Sequence, residues 1–155
     1  MSDELSKNIA AYFSNKKEVI AVYLFGSYAK DRERPFSDID IGLLLDRMDH
    51  NIIKEVKNKF IIELSRILRK DIHLVILNSA SEELIRQIFV KGKCILVSDP
   101  KKTSHYKMVM LAKVAEFLYY RTQMQAGLIR KVMGLPSVHL GMESYGTSFS
   151  KIQEF

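Results

Sequence analysis

A chain of 155 residues that is 47% hydrophobic and 27% charged, with three prolines and seven glycines, has the make-up of one folded domain and excludes a disordered polypeptide. Lysine and arginine number 24 against 18 acidic residues, a formal charge of +6 that favours anionic partners such as nucleotides. The basic residues are scattered, as in Lys16-Lys17, Arg69-Lys70 and Lys101-Lys102, which reads as a solvated surface, so direct nucleic-acid binding is not expected.

The opening segment Met1-Ser2-Asp3-Glu4-Leu5 lacks the basic-then-apolar layout of a signal peptide, and no apolar run reaches the ~20 residues of a membrane helix. A cytoplasmic protein without membrane association is expected. The single cysteine, Cys94, allows no intrachain disulfide and leaves any metal to oxygen or nitrogen ligands. It sits in the apolar run Lys93-Cys94-Ile95-Leu96-Val97 and is expected to be a small buried core residue.

Along the chain, residues 2–14 read as an amphipathic helix with Leu5, Ile9, Tyr12 and Phe13 on one side. Residues 19–25, a β-branched and aromatic run stopped by Gly26, read as a buried strand that turns sharply at the glycine. A short helix over residues 27–32 follows, and after Pro35 a central strand over residues 37–45. A helix from Asp49, capped by it, carries Ile53, Val56, Phe60, Leu64, Ile67 and Leu68 at helical spacing and ends near Arg69-Lys70.

A third strand is expected over residues 72–77. Ser79 with Glu82 then forms a capping box for a helix that stops at Gly92, followed by a fourth strand over residues 94–97. The pattern past Pro100 becomes one long helix, about 104–133, with a stripe of Met108, Leu111, Ala115, Leu118 and Thr122. Residues 134–155 lack periodicity and read as a tail that is mobile or ordered by a partner. The expected fold is α/β (α+β): a short mixed sheet flanked by helices over residues 1–100, the long helix over 101–133, and the tail.

Two short motifs carry the chemistry. Asp38 and Asp40, two apart in a strand, send both side chains to one face with Cα atoms about 6 to 7 Å apart. Carboxylates placed this way share divalent cations such as Mg²⁺, which serve phosphoryl and nucleotidyl transfer. Ile39 and Ile41 point the other way and anchor the strand. Gly26-Ser27, between a strand and a helix start, lets the backbone and a hydroxyl approach phosphate.

The stretches Leu24-Phe25-Gly26-Ser27-Tyr28-Ala29 and Ser37-Asp38-Ile39-Asp40-Ile41-Gly42-Leu43-Leu44, with ten residues between Ser27 and Asp38, resemble the DNA polymerase β-like nucleotidyltransferases. The spacing looks like the minimal nucleotidyltransferase (MNT) group, which includes the MntA antitoxins that pair with HEPN-domain toxins. The resemblance runs over roughly residues 18–97 and implies the family's short mixed sheet. It also implies an ATP- and Mg²⁺-dependent protein adenylyltransferase antitoxin whose partner, a HEPN-type RNase toxin, supplies a tyrosine hydroxyl. Gly26, Ser27 and Ser37 would bind the nucleotide, and Asp38, Asp40 and Asp71 would hold metal and serve catalysis.

Two positions depart from the family pattern. Asp31 stands where a glycine is usual. On the third strand, the register of Leu74-Val75-Ile76-Leu77-Asn78 puts His73 at the position of the third carboxylate, with Asp71 the nearest acid. Alternation places Asp71 and His73 on one face, so either can reach a cation, or Asp71 is an ordinary strand-start residue with His73 in the acid's place.

Lys30, Arg32 and Arg34 read as a solvated loop, and His50, His105 and His139 show no ligand spacing. Tyr119, Tyr120 and Arg121 pack or face a partner. The competing functions are nucleotide transfer to a small hydroxylated molecule and a degenerate module that neutralises a toxin by contact alone, through the long helix and Tyr145, Phe149 and Phe155.

Overall fold

A computed structural model describes residues 2–30 and 34–136. The helix α1 (Ser2–Ser14), the strand β1 (Val19–Phe25), a single 3-10 turn at Tyr28–Lys30 and the strand β2 (Ile39–Leu45) come first. The helix α2 (His50–Leu68), the strand β3 (Ile72–Ile76), the helix α3 (Glu82–Lys91), the strand β4 (Lys93–Val97) and the long helix α4 (Pro100–Val132) follow. The expected mixed α/β architecture is what forms. The sheet has the order β3-β2-β1-β4; β1 runs antiparallel to β2 and β4, while β2 and β3 are parallel.

The continuous apolar runs of β1 and β2 arise because both faces of the sheet are covered. On one face Val22, Leu24, Ile39, Ile41, Leu43, Leu74 and Ile76 pack with Ile9 and Phe13 of α1 and Phe60 and Leu64 of α2. Phe13 and Phe60 meet edge to face at 5.3 Å. On the other face Ala21, Tyr23 and Leu44 pack with Leu77 and Ile88, backed by Phe89 and Tyr106. Ile39 and Ile41 are fully buried, as expected for the anchors of the strand that carries Asp40.

Several details differ from the sequence expectations. β2 begins at Ile39, so Asp38 precedes the strand and alternation does not fix its direction. Asp49 occupies the cap position of α2 without a side-chain cap bond. Ile67, placed on that helix's apolar stripe, is 59% exposed, while the next residue, Leu68, packs against the core. The helix α3 is capped by Ser81, whose side chain accepts from the Leu84 amide at 3.4 Å, so Ser79 ends the preceding turn instead.

Cys94 is exposed, because β4 is an edge strand and this stretch of it is not covered. Helix α4 starts four residues before Ser104, at Pro100, a residue suited to the first helical position. Asp99 holds that start through its carboxylate and carbonyl, which accept from the amides of Lys102 and Thr103. The residues of α4 that face inward are Thr103, Tyr106 and Val114, whereas Met108 and Leu111 of the expected stripe are exposed. The helix is apolar on more than one side, so periodicity alone gives two answers, and the Tyr106 hydroxyl donating to the Leu77 carbonyl at 2.6 Å selects one.

The described residues divide into two compact units, one up to Glu116 and one from Phe117. In the second, Tyr119 and Tyr120 stack edge on and Arg121 lies over the Phe117 ring. Asp31, Arg32, His139, Tyr145, Phe149 and Phe155 lie outside the described residues. No described helix is long and apolar enough to cross a membrane.

Candidate nucleotide site

The site lies where β1 ends beside the start of β2. Phe25, the last residue of β1, pairs with Asp40, so the following Gly26 passes directly over the Asp40 side chain. Gly26 takes φ +72°, and a Cβ there would lie 2.1 Å from Asp40 Oδ2. Two independent constraints therefore demand glycine: a left-handed backbone and a carboxylate with no room for a methyl. The chain then closes a tight turn, the Lys30 amide donating to the Ser27 carbonyl at 3.2 Å.

Asp40 is half-buried on the sheet face that carries Gly42 and Leu44. Its Oδ1 lies 2.9 Å from Nδ1 of His73, the residue paired with it across the parallel ladder. Asp38 is exposed and lines a polar cavity of about 300 Å³ with Asp71, Ser65, Arg69 and Lys70. The Asp71 carbonyl accepts the Ile39 amide at 2.9 Å, which sets the start of β3 beside the start of β2. The four residues singled out for metal or catalysis thus fall into two pairs, Asp40 with His73 and Asp38 with Asp71.

Ser37 has a structural use. Its hydroxyl accepts from the Arg34 amide at 2.9 Å and its own amide donates to the Arg34 carbonyl at 3.0 Å, closing the loop before Asp38. Tyr28 and Lys70 hold the same loop, and sequence reasoning did not single them out. The Tyr28 hydroxyl donates to the Ser37 carbonyl at 3.3 Å and accepts from Lys70 Nζ at 2.7 Å. The sequence signal was a large aromatic, Tyr28, in the otherwise small stretch Gly26-Ser27-Tyr28-Ala29, and the structure leaves it only 5% exposed. Arg69, beside the cavity, ends α2 in the left-handed conformation at φ 51°.

Among the described residues no three His, Cys, Asp or Glu side chains converge to hold a metal ion by themselves. The donor set fits an ion held by one or two carboxylates and completed by phosphate oxygens, which is how Mg²⁺ is bound in nucleotide sites.

Comparison with known proteins gives a consistent picture. Residues 7–101 match the family described as polymerase beta, nucleotidyltransferase. Protein adenylyltransferase MntA of Shewanella oneidensis is 36% identical over 89 residues, 57% of this chain, and the match spans only 61% of that relative. A chain from a crystal structure of a toxin-antitoxin with AMP-PNP aligns with TM-score 0.61 at 25% identity, over 83% of this chain and 98% of that one. A chain from the complex of tri-AMPylated Shewanella oneidensis HEPN toxin with MNT antitoxin aligns with TM-score 0.58 over 86% of this chain and 99% of that one, a likeness of fold at 24% identity. With a match across more than half of its length and the glycine turn set against a strand carboxylate, the chain belongs to the polymerase beta nucleotidyltransferase family.

Proposed function

We propose that the chain is the antitoxin of a toxin-antitoxin pair, a protein adenylyltransferase that moves AMP from ATP to a tyrosine hydroxyl of a HEPN-type RNase toxin. The observation that carries the reading is the contact of the Gly26 turn with the Asp40 carboxylate, which sets the glycine backbone directly beside the strand acid. The relative that is named protein adenylyltransferase and the fold likeness to a toxin-antitoxin chain with AMP-PNP support the reaction class and the kind of partner. The exposed Met108 and Leu111 on α4 suit a protein acceptor better than a small molecule.

In this reading Gly26 and Ser27 seat the phosphates, and Ser37, through the loop it closes, fixes the approach to Asp38. Asp38 and Asp40 are the residues that would hold Mg²⁺, which neutralises the triphosphate and the departing pyrophosphate. Asp71, on the cavity wall with Asp38, takes the proton of the acceptor hydroxyl. The hydroxyl oxygen forms a bond to the α-phosphorus, the bond from that phosphorus to the bridging oxygen breaks, and pyrophosphate leaves.

The purified chain, incubated with α-labelled ATP, Mg²⁺ and the product of the adjacent gene, is expected to label that product and to lose the labelling in Asp38→Asn. Absence of transfer by the unaltered chain would sink the enzymatic reading. The His73 imidazole at the third-acid position favours one alternative, neutralisation by contact alone. Toxin neutralisation that survives replacement of both Asp38 and Asp40 would establish it.

A further inference from the structure

The imidazole of His73 and the carboxylate of Asp40 face each other with Nδ1 and Oδ1 2.9 Å apart, and their side chains are 62% and 26% exposed. An exposed contact of this kind contributes little to folding, so stability does not account for an imidazole at that position. Asp40 meanwhile divides its oxygens. Oδ2 lies against the Gly26 turn, where a Cβ would approach to 2.1 Å, while Oδ1 is the oxygen beside His73.

Two neighbouring ligands of an octahedral ion with bonds of about 2.1 Å stand about 3.0 Å apart, the bond length times the square root of two. The observed N···O separation of 2.9 Å, an ordinary hydrogen-bond length, is also short enough for one cation to reach both atoms. With its side chain 62% exposed, the imidazole is free to turn from the hydrogen-bond line so that Nδ1 and Oδ1 both face one cation. Mg²⁺ takes oxygen ligands, whereas an imidazole nitrogen suits divalent ions of the first transition row.

We propose that Asp40 and His73 form a mixed oxygen–nitrogen subsite that binds a first-row transition-metal ion in preference to Mg²⁺. The proposal rests on the assignment of Asp40 to the nucleotide site. Since no three ligating side chains converge among the described residues, phosphate oxygens and water complete the shell, and the ion binds more tightly with nucleotide than without. His73 then acts on the choice of ion, a role that the carboxylate usual at this position does not fill.

Pulsed electron paramagnetic resonance of Mn²⁺ bound to the full chain, with a non-hydrolysable ATP analogue present, tests this. Labelling the protein's histidines with nitrogen-15 separates imidazole from the nitrogens of the nucleotide. The expected spectrum shows coupling to one labelled nitrogen, lost in both His73→Gln and His73→Asp. In competition, Mg²⁺ is expected to displace Mn²⁺ about tenfold more readily from His73→Asp than from the unaltered chain. His73 is exposed, so both variants should fold, and the Gln variant keeps the test open if a third acid disturbs the site. Mn²⁺ bound without labelled-nitrogen coupling would overturn the role of His73 and leave the nucleotide-site reading standing. No Mn²⁺ binding even with nucleotide would overturn both.

Discussion

Replacement of Gly26 by alanine separates the two constraints on that residue. The left-handed φ of +72° costs an L-residue about 1–2 kcal/mol. The new methyl would lie 2.1 Å from Asp40 Oδ2 and 2.9 Å from Cγ, so the carboxylate must rotate away from its rotamer and from His73. That displacement costs about another 1–2 kcal/mol. The sum, about 3 kcal/mol, corresponds to a fall in Tm of about 6–12 °C for a domain of this size. In an Asp40→Ala background the second contribution disappears, because only Asp40 Cβ remains near the methyl, at 3.3 Å. A double-mutant cycle by thermal melting should therefore give a coupling of about 1–2 kcal/mol between the two positions. Equal destabilisation by Gly26→Ala in both backgrounds would refute the contact argument and leave backbone conformation as the whole effect. Nucleotide transfer should fall with Gly26→Ala beyond what the loss of folded protein explains, since the displaced group is the proposed ligand.

The other predictions concern the scaffold. Asn78 donates to the Leu45 carbonyl at 2.8 Å and accepts from the Leu45 amide at 3.0 Å, acting as a one-residue strand at the end of β2. Asn78→Ala should cost about 1–3 kcal/mol in chemical denaturation, because it strands both backbone groups; a change within error would remove that role. Phe13→Ala empties a fully buried position between Tyr12 and Phe60 and should cost about 3–5 kcal/mol, read from the urea midpoint at unchanged slope. The Tyr12 hydroxyl donates to Glu63 and, with Lys16 and Lys59 nearby, holds that carboxyl below its ordinary value of 4.5. A depressed carboxyl contributes stability that is present above its unfolded value and is lost as pH falls through the folded one. Tyr12→Phe should therefore melt lower than the unaltered chain at pH 7, with the gap narrowing below pH 4.5; a gap independent of pH would contradict the pairing.

Much of the fold was legible because local chemistry left few options. The run Val19–Phe25 has no polar residue, so it had to be a strand with both faces covered, and it is. The apolar spacing on α1 picked out Ile9 and Phe13, both fully buried. Legibility failed where a pattern had two solutions. Helix α4 has apolar residues on several sides, and only the fit of Tyr106 under Leu77 chose among them. Cys94 has the neighbours of a core residue, yet strand order makes β4 an edge. Ser79 and Ser81 offer the same hydroxyl two residues apart, and the cap goes to the one whose backbone leads into the helix axis.

By itself the sequence determined the strand that carries Asp40, the isoleucines that bury it, and the turn at Gly26, because these follow from alternation and backbone freedom within a few residues. Tertiary structure decided which distant groups share the site. Ile39 pairs with Ile72 in the parallel ladder, a contact between segments more than thirty residues apart, and that register alone sets His73 against Asp40 and leaves Asp71 with Asp38. No local pattern encodes such a register; it is fixed by the packing of Ile39, Ile41, Leu74 and Ile76 into one core.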